Sequence, residues 1–91
     1  MGAIHWRPQA ISDLIRIARH IATRSPINAN KVFIQVQAKA AALATYPNMG
    51  RAGRRKGTRD WRYTAISIVV YRVTGQAVEI IRVKHTSRQP N

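Results

Sequence analysis

Ninety-one residues carry sixteen Lys or Arg against three Asp or Glu, a formal net charge of +13, with 45% hydrophobic residues and no cysteine. The length suits one domain over residues 1–91, and the composition supplies a core but excludes a disulfide framework and a thiolate metal site. The charge excess calls for an anionic partner, while no apolar run approaches the roughly 20 residues that span a bilayer and residues 1–8 are too short and polar for a secretory signal, so a cytoplasmic protein is expected.

Residues 3–6 read as a short first strand. Pro8 then opens a helix, since its missing N–H has no intrahelical partner in a first turn. Ile11, Leu14, Ile15, Ala18, Ile21 and Ala22 recur at helical spacing and form one apolar stripe. Asp13 sits early, where the helix dipole favours a carboxylate. Ser25 caps a second helix that Pro26 opens. Its stripe is Ala29, Val32, Phe33, Val36, Ala40 and Leu43, and Tyr46, Pro47, Asn48 and Gly50 stop it. The short link predicts an antiparallel helical hairpin. After a basic, glycine-containing hinge, a period of two takes over. Strands are expected over 58–63, 66–73 and 78–84, with Thr74, Gly75 and Gln76 as a hairpin turn. In the last strand strict alternation puts Val78, Ile80, Arg82 and Lys84 on one face, and Glu79, Ile81, Val83 and His85 on the other. The fold class is α+β: an N-terminal strand, a helical hairpin and a three-stranded antiparallel meander, in the order β-α-α-β-β-β.

Six of the sixteen cations fall within residues 51–62. Arg51, Arg54, Arg55, Lys56, Arg59 and Arg62 are the candidates for binding an anion or an acidic target; solvated loop charges are the bland alternative. His85 stands beside Arg82, Lys84 and Arg88, whose charges would favour a neutral imidazole able to act as a general base. His5 and His20 are too distant in the pattern for a metal site, so no metal and no cofactor is expected. Neither helix sets a strongly cationic face against a bulky apolar one, which argues against a membrane role.

Trp6 with Ala10 and Asp13–Leu14, Ser25–Pro26 with Ala29, Leu43 with Tyr46–Pro47 and Gly50–Arg51, Gly57–Thr58–Arg59, Tyr71–Arg72–Val73, Val78–Glu79–Ile80, and Arg82–Val83 with His85 follow one another along nearly the whole chain. In order and spacing they resemble the RelE/ParE superfamily of bacterial type II toxins. The resemblance implies a twisted antiparallel sheet beside a helical hairpin. It also implies a cognate acidic antitoxin that neutralises the toxin in a hetero-oligomer; Ile11, Leu14, Ile15, Arg72 and Arg82 are its expected contacts. RelE-like members resemble ribosome-dependent mRNA endonucleases, in which cations stabilise the phosphorane and a side chain moves the proton of the ribose 2′-OH. For that reading the working set is Arg59, Arg82, His85 and Arg88. Trp61 and Ile68, however, fall where two further basic residues are expected, and the tyrosine expected near the C-terminus has no counterpart before Asn91. The resemblance therefore favours a ParE-like inhibitor of DNA gyrase, with the ribosome-dependent mRNA interferase as the alternative. A small basic nucleic-acid-binding module is a third class.

Overall fold

The computed structural model describes residues 3–64 and 67–85. The elements are β1 (Ala3–Trp6), α1 (Pro8–Ala22), α2 (Pro26–Thr45), β2 (Arg51–Ala52), β3 (Arg59–Thr64), β4 (Ser67–Thr74) and β5 (Ala77–His85). The strands form one sheet in the order β1-β5-β4-β3-β2. The expected α+β order is present, with two additions. β1 lies parallel to β5, from Ala3 opposite Ala77 to Trp6 opposite Ile80, so the sheet is mixed. The basic hinge contains β2, which pairs Arg51 with Asp60 and Ala52 with Arg59.

Local chemistry explains most of the boundaries. Pro8 occupies the first turn of α1, and the Ser25 hydroxyl accepts the Asn28 N–H at 3.3 Å, capping α2. Between β4 and β5 the turn is Gly75–Gln76, and Gly75 takes φ +62. A positive φ at the first central position is what a type II′ hairpin turn requires.

The helices cover one face of the sheet. Ala10, Ala40, Leu43, Val69, Tyr71, Val78, Ile80 and Val83 form the buried cluster, with Ile4, Trp6, Ile17 and Trp61 packed against it. Burying each of the larger side chains contributes roughly 1.5–3 kcal/mol. The stripe of α1 is rotated from the one expected. Ala10, Asp13 and Leu14 point inward, whereas Ile11 and Ile15 are exposed.

A β-bulge corrects the faces of β5. Tyr71 lies opposite Ile80, but Val70 lies opposite Arg82, leaving Ile81 as the extra residue. One additional residue reverses the alternation beyond it. Val83 therefore joins Val78 and Ile80 on the core side, and Arg82 and Lys84 turn to the face away from the helices. Among the described residues no helix is long and apolar enough to cross a membrane.

Candidate functional site

The sheet face away from the helices carries most of the expected cations. Cross-strand register aligns Arg51, Asp60, Val70 and Arg82 in one row and Arg62, Ile68 and Lys84 in the next. Strands are about 4.8 Å apart, so Arg62 and Lys84 stand about 10 Å apart across Ile68 at backbone level. The β2–β3 loop closes the end of this trough and is ordered by its own bonds. The Gly53 N–H donates to the Thr58 carbonyl at 2.8 Å, and the Thr58 hydroxyl donates to the Arg55 carbonyl at 2.7 Å. The result is a concavity of about 560 Å³ whose lining includes Arg54, Arg55, Arg62, Arg82 and Lys84. Asp60 is the carboxylate among its lining residues, and Ile68, Val70 and Ile81 supply an apolar floor. Such a rim is a field for an anionic ligand, strengthened because cations of one sign share a concave wall.

The other candidates part company with this group. Arg51 lines a second concavity, of about 400 Å³, with Met49, Trp61 and Arg62. Lys56 is exposed at the loop tip. Arg59 lies opposite Tyr71 on the helix-covered side, and its Nη1 donates to the Gly50 carbonyl at 2.6 Å. Arg59, expected to meet an anion, is bonded instead to the backbone of a turn. Tyr71 completes that arrangement. Its Oη accepts the Gly50 N–H at 2.8 Å and donates to the Pro47 carbonyl at 2.7 Å. Burial, outweighing the Gly50 N–H and the Arg59 charge, pushes the Tyr71 phenol up from its ordinary value, so it stays protonated and able to donate. A side chain at Gly50 would place Cβ 2.8 Å from the Tyr71 ring and 2.9 Å from the Asp60 carbonyl oxygen. Tyr71→Phe is expected to cost about 1–3 kcal/mol, because the Gly50 N–H and Pro47 carbonyl lose their buried partner; chemical denaturation checks it.

Arg82 is held by Asp13. β5 extends beyond the last residue that β1 covers, and α1 meets it there. Asp13 Oδ2 accepts the Val83 N–H at 3.0 Å, Arg82 Nε donates to Oδ2 at 2.7 Å and Arg82 Nη2 to Oδ1 at 3.0 Å, while Arg16 adds a bond at 3.0 Å. Asp13 is 1% exposed. Burial pushes its carboxyl up, but the Arg82 bond, the Val83 N–H and the Arg16 bond together carry it below the usual carboxylate value. The expectation that Asp13 serves the helix dipole is thus corrected: it lies beyond the first turn of α1 and joins helix to strand edge.

His85 shares the side of β5 that Val83 occupies. Burial first, then the charge of His20 on α1, holds its imidazole below the ordinary 6.5. The neutral form expected from the neighbouring cations Arg82, Lys84 and Arg88 is favoured for a different reason. Arg88 lies outside the described residues. Acid is expected to weaken the fold here. The folded imidazole resists protonation, so its contribution is present above 6.5 and is lost as pH falls through the depressed value. Thermal unfolding of wild type and His85→Gln at pH about 7.5 and about 5.5 should show the larger acid loss in wild type.

The residues expected to meet an antitoxin do not share one surface. Leu14 is 3% exposed and belongs to the core, correcting that assignment. Ile11 and Ile15 are exposed on α1, and Ile15 borders a groove of about 330 Å³ with Ala18, Ala22, Ala29 and Phe33. Arg72 is ion-paired with Glu79 at 2.7 Å on the far sheet face. Among the described residues no group of three or more potential metal ligands gathers.

The family described as the ParE toxin of the type II toxin–antitoxin system parDE matches residues 4–90. The protein Y4kP of Sinorhizobium fredii is 34% identical over 87 residues, which span 94% of this chain and 90% of Y4kP. Toxin RelE2 of Caulobacter vibrioides is 28% identical over 88 residues, 97% of this chain and 99% of its own. In the chromosomal ParDE system from P. aeruginosa, one chain aligns with a TM-score of 0.82 and 22% identity, over 93% of this chain and 96% of that one. A chain of the E. coli DinJ–YafQ complex aligns with a TM-score of 0.53 and 18% identity over the whole of both chains. At such identities the structural likenesses establish the fold alone. The match across nearly the entire sequence makes this chain a type II toxin of the ParE toxin family.

Proposed function

We propose that this toxin arrests growth by binding rather than by cutting: it is an inhibitor of DNA gyrase, kept harmless by a cognate acidic antitoxin. The observation that carries the reading is the engagement of the two arginines that a nuclease would need. Arg59 donates to the Gly50 carbonyl and Arg82 to the Asp13 carboxylate. Phosphoryl chemistry requires cations aimed at the developing charge and a proton-moving group beside them. Arg59 lies opposite Tyr71 and His85 opposite Ser67, four positions apart on β4, which is about 13 Å along the strand. That spacing does not suit one reacting phosphate. The concave cationic face instead suits an acidic protein surface, whose approach it would accelerate.

The antitoxin, on this reading, takes the outer groove between the helices through Ile15 and Phe33, with Ile11 beside it. Charge speeds the encounter and apolar burial sets the lifetime of the complex. The relation to RelE2 of Caulobacter vibrioides favours the second reading, an mRNA interferase. A supercoiling assay separates the two. Purified toxin should inhibit relaxed-plasmid supercoiling by gyrase, and adding the antitoxin should restore it. Full gyrase activity at a large molar excess of a toxin preparation that still arrests growth in cells would overturn the proposal.

A further inference from the structure

The turn that follows α2 is more firmly held than its place on the surface requires. Two side chains from the sheet secure it. Tyr71, wholly buried, bonds both the Gly50 N–H and the Pro47 carbonyl, and Arg59 bonds the Gly50 carbonyl. The Met49 N–H also donates to the Tyr46 carbonyl at 3.1 Å. Surface connections are ordinarily left to water and vary in conformation. This one is a rigid mount, and what it displays is apolar: Tyr46 is 63% exposed and Met49 40% exposed.

Beside Met49 lies the concavity of about 400 Å³, walled by Trp61, Arg51 and Arg62, with Asp60 and Ile68 also in its lining. Trp, Tyr, Met and Arg are the side chains most enriched at the desolvated centres of protein interfaces. The two arginines outnumber Asp60, so the corner stays net positive and favours an occupant that brings carboxylates beside its apolar group. A second copy of this chain is a poor occupant, since each carries a net charge of +13. A nucleic-acid strand wants a continuous cationic track, which the neighbouring sheet concavity offers better than this corner does.

We infer that the corner formed by Tyr46, Met49, Arg51, Trp61 and Arg62 is the anchor site for the target protein, receiving an apolar side chain flanked by carboxylates. The inference rests on the reading of the chain as a toxin that acts by binding, and it names the contact that reading leaves unspecified. The corner is also separate from the groove assigned to the antitoxin. That groove uses Ala29 and Phe33, near the start of α2, and the helix from Ala29 to its end at Thr45 spans about 24 Å. Target and antitoxin binding can therefore be altered independently.

The experiment compares Tyr46→Asp, Met49→Asp, Arg51→Glu and the conservative Met49→Leu with wild type. Lys39→Glu, exposed on α2, controls for charge reversal alone. Each chain is induced without antitoxin to score growth arrest, co-produced with antitoxin to score capture, and purified to titrate gyrase supercoiling. The three disruptive variants should need at least about ten-fold more toxin for inhibition and lose growth arrest, while still capturing antitoxin; Met49→Leu should be far less impaired than Met49→Asp, and Lys39→Glu should behave as wild type. Growth arrest undiminished in Tyr46→Asp and Arg51→Glu overturns the inference, as does an equal loss in Lys39→Glu. Loss of antitoxin capture together with toxicity in all three variants would also overturn it. Should wild type arrest growth yet leave gyrase untouched, the gyrase reading falls, and the corner is still judged by growth arrest.

Discussion

Replacing Asp13 by alanine should lower stability by about 3 kcal/mol, because it breaks a buried ion pair from its inaccessible side. That is the lower end of the roughly 3–5 kcal/mol that breaking a buried pair costs, because the Arg82 side chain is 41% exposed and can regain water, whereas the Val83 N–H loses the carboxylate that caps it. For a domain of this size the change corresponds to a fall in melting temperature on the order of 15 °C. The pH dependence has a definite sign. The Asp13 carboxyl is held below its ordinary value of 3.8 in the folded chain, so its contribution is complete above that value and disappears as pH falls through the lowered one. Asp13→Asn keeps an acceptor for Val83 but not the charge. The gap in stability between it and wild type should therefore be largest near neutrality and narrow on acidification. Denaturant titrations at several pH values measure this; an unchanged gap below pH of about 3 would refute the ion pair as its source.

The second large effect is kinetic. Changing Arg54, Arg55, Arg62 and Lys84 together to glutamine takes the net charge from +13 to 13 − 4 = +9 and strips most of the cations from the rim of the sheet concavity. Association with an acidic partner should slow by about 10- to 100-fold at low salt. The fold should tolerate the change, because exposed substitutions of this kind usually stay within about 0.5 kcal/mol each. Added salt should slow the wild type far more than the variant, so that the two rates converge. Stopped-flow association with purified gyrase at several ionic strengths reads both effects. Equal rates at low salt would mean the concavity does not steer its partner.

The order of elements was legible because each segment has its own period. Ala29, Val36, Ala40 and Leu43 repeat at helical spacing, and β4 alternates through Val69 and Tyr71. What the sequence concealed arose mostly from long-range pairing. Nothing local indicates that Ala3–Trp6 joins β5 in parallel, or that Arg51–Ala52 makes a two-residue edge strand. A bulge carries no fixed signature either, so the single extra residue at Ile81 upset every facing beyond it. Two site residues did leave traces. Asp13 is in phase with Ala10, Leu14 and Ile17, and a carboxylate on the inward stripe demands a cationic partner. Arg59 is in phase with Trp61, a side chain packed against the core, which already turned it away from Arg62. The basic concavity itself needed the register of three strands before Arg62 and Lys84 could be seen to share a rim.

Mapping message ends by primer extension in cells arrested by this toxin bears most directly on whether it binds or cuts. The same culture must be shown to stop growing after induction without antitoxin. Messages should be uncut at that point, with the cause of arrest lying in supercoiling. Cuts recurring at fixed positions within codons would contradict it, and would mean that Arg59 or Arg82 leaves its present partner on the ribosome.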